Sequence, residues 1–205
     1  MPAHSMHWPK AIGLAAASLI AILTFSGCTA YTGYTLPPER AQYTLTMDQG
    51  DIHTEWKFWS SKVTEDETPQ GYLCVEAMQE SVTGKVPSPC RAEPLIFLRY
   101  NAGVGLDNAV PAPGAGAIHV TADRQAPDAP PVAGLKLWVS TDDGSNWQVV
   151  RVNQLVGSKG AFIGTITYPK LAATTGAVSL RAEAWDADGN RVNQTIEKAY
   201  FLRAP

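Results

Sequence analysis

The chain has 205 residues, 16 basic and 19 acidic, with a formal net charge of −3 and 45% hydrophobic content. That length is enough for one large or two small globular domains. The mild acidity and unclustered Lys and Arg exclude a nucleic-acid footprint, and no apolar run after Cys28 approaches membrane-spanning length.

The first element is a targeting segment. Lys10 supplies a basic flank, residues 11–23 form an apolar run, and Phe25-Ser26-Gly27-Cys28 closes it. The run is short for a membrane span and has the flank of a secretory signal. Its end resembles a bacterial lipobox, in which small residues precede a cysteine that is diacylated before cleavage. The expectation is a lipoprotein signal peptide over 1–27, lipidation at Cys28, and a mature chain held to the membrane by lipid on the extracytoplasmic side. An ordinary signal peptide with an incidental Cys is the alternative. Lys10 is the only charged residue of the removed segment, so the mature chain is slightly more acidic. Residues 28–40 read as a tether, stiffened at its end by Pro37 and Pro38.

From residue 41 onward no segment reads as a helix. Short runs alternate apolar with polar, and Gly, Pro, Asn and Asp punctuate them, which predicts an all-β fold. The first block of strands falls at 41–47, 54–63, 72–78 and 94–100. In the second of these, Trp56, Phe58 and Ser60 share one face, and Glu55, Lys57 and Trp59 the other. Cys74 and Cys90 are an even pair in an oxidising compartment. With no His beside them, a disulfide is favoured over a metal site. It closes a loop of roughly 16 residues, on the order of 3 kcal/mol in the chain-entropy picture.

The Gly-, Ala- and Pro-rich stretch 101–116 marks a boundary. The second block follows, with strands at 117–122, 135–140, 147–152, 161–168, 177–185 and 194–202. Within the fifth, Val178, Leu180, Ala182 and Ala184 are expected to face in, and Ser179, Arg181 and Glu183 out. Turn signals every 8–12 residues or so suit a sandwich. The expected organisation is two tandem antiparallel β-domains, a small one over 41–103 carrying the disulfide and an immunoglobulin- or fibronectin-like sandwich over 104–205.

Two Asp-rich motifs stand out. Ser140, Asp142, Gly144 and Trp147 resemble an Asp-box hairpin turn, in which an Asp side chain accepts backbone N–H groups, Gly takes a positive φ and Trp packs on the hairpin. Asp186, Asp188, Gly189 and Asn190 offer the closely spaced oxygens of a calcium loop but lack its length and distal Glu. Both read as self-held turns rather than ligand sites. Catalysis finds little support. A Ser nucleophile needs a His base, and only His53 and His119 remain beyond the signal segment, with no nucleophile elbow or His-Glu-x-x-His. Glu65, Asp66 and Glu67 sit in a polar run and read as a solvated loop. Trp59 and Trp138 fall on the polar face of their strands. An exposed Trp there can stack on a sugar or dock a partner; packing beneath a loop or between domains is the alternative.

Leu135 to Trp147, Val178 to Asn190 and Asn193 to Tyr200 are similar to the C-terminal β-domains of large secreted subtilisin-family peptidases of actinobacteria. Thr54 to Phe58 and Leu95 to Tyr100 resemble the β-domain that precedes them in those proteins. The resemblance covers most of 41–203 and implies a pair of accessory β-modules. The catalytic subtilisin domain is missing from this sequence, so no catalytic residue carries over, and the insert with Cys74 and Cys90 is a departure. Taken together, the expectation is a non-enzymatic envelope lipoprotein with no cofactor and no metal. It binds or scaffolds an envelope protein or, alternatively, a cell-wall glycan. A hydrolase with dispersed carboxylates is the third reading.

Overall fold

The computed structural model describes residues 19–20, 33–34, 36–64, 91–124 and 129–205. Cys28, Cys74, Cys90, the strand expected at 72–78 and the Glu65–Glu67 run lie outside the described residues. Leu19–Ile20 (β1) and Gly33–Tyr34 (β2) form a two-residue antiparallel pairing. The remaining strands are β3 (Ala41–Gln49), β4 (Ile52–Ser60), β5 (Ile96–Asn101), β6 (Ala109–Pro111), β7 (Gly114–Arg124), β8 (Val132–Ser140), β9 (Gln148–Val150), β10 (Val152–Gln154), β11 (Ala161–Tyr168), β12 (Ala177–Asp186) and β13 (Arg191–Arg203). Leu171–Ala173 adds one 3-10 turn. Among the described residues no helix is long and apolar enough to cross a membrane.

The protein is all-β, built on two sheets. The larger runs β3-β4-β13-β12-β8-β9, and β6 adds to β13; the smaller runs β10-β11-β7-β5. Every pairing is antiparallel except β6 on β13, which sets Ala109, Val110 and Pro111 beside Phe201, Leu202 and Arg203. The inner faces follow the alternation of the sequence. Trp56 and Phe58 are buried from β4, Leu135, Leu137 and Val139 from β8, and Leu180, Ala182 and Ala184 from β12; they meet Ile118 and Val120 of β7 and Phe162 and Ile166 of β11 in one hydrophobic cluster. Tyr168 and Tyr200 close the space between the sheets, with their hydroxyls 2.9 Å apart and their rings edge to face.

The expected division near residue 104 is not present. β4 zips onto β13 from Lys57 against Arg191 to Ile52 against Ile196, and β5 zips onto β7 from Ile96 against Arg124 to Asn101 against His119. Residues from both expected domains therefore share both ladders and one core. The physical reason is backbone satisfaction: the strands described within 41–103 leave edges and an apolar face that the second block covers. The stretch read as a boundary is itself core, since Ala109, Val110 and Ala112 are buried.

Ser179 also departs from the alternation. It is buried rather than outward, because the β12–β13 register shifts between Val178 and Leu180. Its Oγ accepts the Lys198 N–H, and Lys198 sits at φ 51 on the partner strand. This is a bulge-type irregularity, in which two steps of β12 oppose four of β13, so β13 spends two extra residues and re-aims its neighbours. At the other end of the molecule the chain steps from the larger sheet to the smaller between β9 and β10. Gly164 makes room there: a Cβ would lie 2.9 Å from Val150 Cγ1 and 3.0 Å from the Arg151 carbonyl.

Candidate functional site

Among the described residues, the outer face of the larger sheet gathers the tryptophans that do not enter the core. Trp59 on β4, Trp138 on β8 and Trp185 on β12 all point outward and are half-buried, and Trp147 reaches the same face from the turn after β8. Antiparallel register fixes their neighbours. Trp138 stands opposite Arg181 on one side and Val149 on the other, and Arg181 stands opposite Thr195. The next row carries Lys136, Glu183, Asn193 and Glu55, and the row beyond it Gly134, Trp185, Arg191 and Lys57.

Three of the four indoles carry a cation. The Arg181 guanidinium lies 4.2 Å from the centre of Trp147, Arg40 4.9 Å from Trp59, and the Lys136 ammonium 5.3 Å from Trp185. Such contacts are worth about 0.5–1 kcal/mol at exposed sites. Trp185 lies flat on its cross-strand partner Gly134, where any Cβ would collide with the indole. Trp59 packs beside the turn after β12: its backbone N–H donates to Asn190 Oδ1 at 2.9 Å, and its indole Nε1 is 3.9 Å from where a Gly189 Cβ would be. Among the described residues no such cation covers Trp138, which borders Val149, itself 71% exposed. Lys136 and Arg191 flank Glu183 at 3.6 and 3.9 Å, and Lys57 pairs with Glu55 at 3.0 Å. These exposed pairs lace the face with both signs of charge and add little stability each.

A shallow open depression of about 190 Å³ lies beside this row, lined among others by Asp143, Trp147, Arg181, Glu197 and Lys198. Its two acids face two cations, and Asp143 Oδ1 accepts a hydrogen bond from Thr175 Oγ1 at 3.0 Å. The bulge at Ser179 and Lys198 shapes the floor.

Both Asp-rich motifs form the turns the sequence predicted, and they use one device. Asp142 Oδ1 accepts the Asn146 N–H at 2.9 Å, and its Oδ2 accepts from Asn146 Nδ2 at 2.7 Å. Asp186 Oδ1 accepts the Asn190 N–H at 2.9 Å, and its Oδ2 accepts from Asn190 Nδ2 at 2.8 Å. Each Asp thus grips the Asn four residues on with both oxygens. Ser140 Oγ completes the first turn, donating to Asp142 and accepting the Gly144 N–H. Hydrogen bonds from Asn146 and Ser140 hold the Asp142 carboxyl below the ordinary carboxylate range. Trp147 lies over Gly144 as the motif requires, 3.6 Å from where a Cβ would sit. In the second turn Asp186 and Asn190 are buried while Ala187 and Asp188 at its tip are exposed, and Arg124 of β7 reaches across from the smaller sheet to Asp186 Oδ2 at 2.6 Å. All four oxygens of the Asp142 and Asp186 carboxylates accept hydrogen bonds from their own turns. Among the described residues no group of three or more His, Cys, Asp or Glu is placed to hold a metal.

The two histidines are far from sharing a site. His53 is exposed on the larger sheet with its Nδ1 2.5 Å from Asp48 Oδ1, and His119 is exposed on the outer side of β7 in the smaller one. Arg181 and Lys136 were not picked out as site residues from sequence. Their outward parity is readable, but the indoles they cover are set by cross-strand register and by the turn. No family model matches the chain, and no curated protein matches it.

Proposed function

We propose that this chain is a non-catalytic lipoprotein of a bacterial envelope, tethered through Cys28, whose larger sheet offers its outer face as a binding surface. The observation that supports this is the alignment of Trp59, Trp138, Trp147 and Trp185 on one sheet face within a field of mixed charge. Indoles held by cations and by a glycine are rigid, so a flat ligand docks without ordering the platform first. An immunoglobulin- or fibronectin-like classification of the sandwich, and kinship with the accessory β-domains of actinobacterial subtilisin-family peptidases, belong to the same proposal. A hairpin of the Asp-box kind on the sandwich supports both.

The partner is an envelope protein or a cell-wall glycan. The glycan reading gains support from Trp138, whose indole borders exposed Val149 and, among the described residues, carries no cation on its ring, leaving an apolar ring edge with polar neighbours. The test is co-sedimentation of the full chain with isolated cell-wall glycan, together with mass spectrometry of the mature N-terminus. Binding that falls at least tenfold in Trp138→Ala, with folding retained, and a diacylated N-terminal Cys28 are the expected results. Undiminished binding by Trp138→Ala removes this face from the function, and an unmodified N-terminus at another residue removes the anchor.

A further inference from the structure

Four strands end the two sheets. β9 and β10 are three residues each, too short to template a partner. β5 carries Arg99, ion-paired with Asp123, and its Ile96 carbonyl is taken by Trp56 Nε1 at 2.7 Å. β3 is different. It runs nine residues, Ala41–Gln49, and among the described residues nothing pairs with its outer edge. It contains no Lys, Pro or Gly, and its register with β4 is unbroken from Ala41 against Ser60 to Gln49 against Ile52. Long, regular and nearly uncharged, it lacks the devices by which edge strands are kept from pairing. Its inward side is also incompletely covered: Tyr43 and Leu45 are half-exposed and Met47 is 37% exposed.

The open edge has a defined pattern. The β3–β4 hairpin turns through Gly50 and Asp51, and Gly50 takes φ 58. A two-residue loop makes Gln49 and Ile52 a hydrogen-bonded pair, so Gln42, Thr44, Thr46 and Asp48 present their N–H and C=O groups to the free edge. We infer that β3 pairs antiparallel with β3 of a second copy, about a two-fold axis through Thr44, and joins the two larger sheets into one.

Side-chain complementarity selects that occupant and that register. With Thr44 opposite its own copy, Arg40 of one chain lies opposite Asp48 of the other, and symmetry makes this contact twice. Gln42 then meets Thr46 on the outer face, while Tyr43 meets Leu45 and Ala41 meets Met47 on the inner one. Opposite charges, a Thr–Thr pair and aromatic–aliphatic pairs are the combinations that stabilise antiparallel ladders. Moving the axis to Leu45 places Asp48 against uncharged Gln42, and moving it to Thr46 places Tyr43 against Gln49. Only the Thr44 register matches charge with charge and apolar with apolar. A two-fold, self-complementary contact closes on itself, so the assembly stops at a dimer.

The test combines hydrodynamics with cross-linking on the full chain in detergent. Sedimentation should find a reversible dimer. Asp48→Arg and Arg40→Asp should each raise its dissociation constant at least tenfold, and the charge-swapped double variant should restore it. Thr44→Cys should give a disulfide-linked dimer on a non-reducing gel, whereas Thr46→Cys and the parent chain should not. Circular dichroism confirms that each variant is folded, and the double variant keeps the test decisive if a single one is not. A chain that stays monomeric at about 100 μM, or a dimer indifferent to all these substitutions, overturns the inference. Cross-linking of Thr46→Cys in place of Thr44→Cys overturns the register.

Discussion

An Asp gripping the Asn four residues ahead occurs twice, and the two copies differ in burial and in the third group that each Asp holds, Ser140 in one and Arg124 in the other. Around Asp142 the turn is open to solvent, and the acceptor oxygens are filled by Asn146 and Ser140. Its lowered pKa means that the folded state favours the charged carboxylate. The stabilisation is therefore present above the ordinary carboxylate pKa of 3.8 and is lost as pH falls through the lower folded value. An NMR titration should place the Asp142 midpoint below 3.8, and Asn146→Ala should move it back up. Around Asp186 the gripping Asp and Asn are themselves buried, and the carboxylate also holds Arg124, whose side chain is 10% exposed and whose Nε and Nη2 have no hydrogen-bond partner among the described residues. Removing Asp186 strands that guanidinium. Asp186→Ala should cost about 3–5 kcal/mol in urea denaturation, and Asp142→Ala distinctly less. Equal losses at the two positions contradict the burial argument.

At the scale of elements, the sheets are tied at one end of the strands by Arg124 and Asp186 and at the opposite end by Tyr168 of β11 and Tyr200 of β13. Both phenols are pushed above the ordinary 10.0, chiefly by burial; for Tyr200 the hydrogen bond from its role as partner to Tyr168 adds to the rise. A raised folded pKa here means that the neutral pair is what the fold holds. Its stability is fully present below about pH 10 and is lost as pH rises beyond it. Phenolate absorbance at 295 nm should thus show these two tyrosines ionising only as the sandwich unfolds, while exposed tyrosines titrate earlier. Tyr200→Phe leaves the Tyr168 hydroxyl buried without its partner and should cost about 1–3 kcal/mol. Loss of the late-titrating absorbance without unfolding contradicts this account.

On the scale of the whole molecule, the described strands share both ladders and one core. Trp56 and Phe58 from the N-terminal block lie in the same hydrophobic cluster as Val178 and Leu202 from the C-terminal one. A chain split at residue 104 loses β4 from the larger sheet and β5 from the smaller, and bares the edges of β13 and β7. Residues 104–205 expressed alone should therefore show no cooperative thermal transition, and the full chain should melt in one calorimetric step. Two separable transitions, or a cooperatively melting 104–205 fragment, contradict the single sandwich.

Strand identity and facing are largely local properties, and the sequence carried most of them, with β6 and the facing of Ser179 as exceptions. Alternation separates buried Trp56 and Phe58 from outward Trp59, and buried Leu135 and Leu137 from outward Trp138, because the pleat has a period of two wherever the chain is extended. The two Asp–Asn turns were equally legible, since the Asp and the Asn that it grips lie four residues apart, whereas the Arg124 and Trp59 contacts to the second turn come from distant strands. What the sequence could not carry is which strand lies beside which. The β4–β13 ladder joins residues on opposite sides of more than a hundred others, and β6 finds its place only because the end of β13 runs parallel to it. Many registers satisfy the same alternation, and shared burial chooses among them. For the same reason the outward parity of Arg181 was local, but its seat on Trp147 was decided by the packing of β12 against the turn that follows β8.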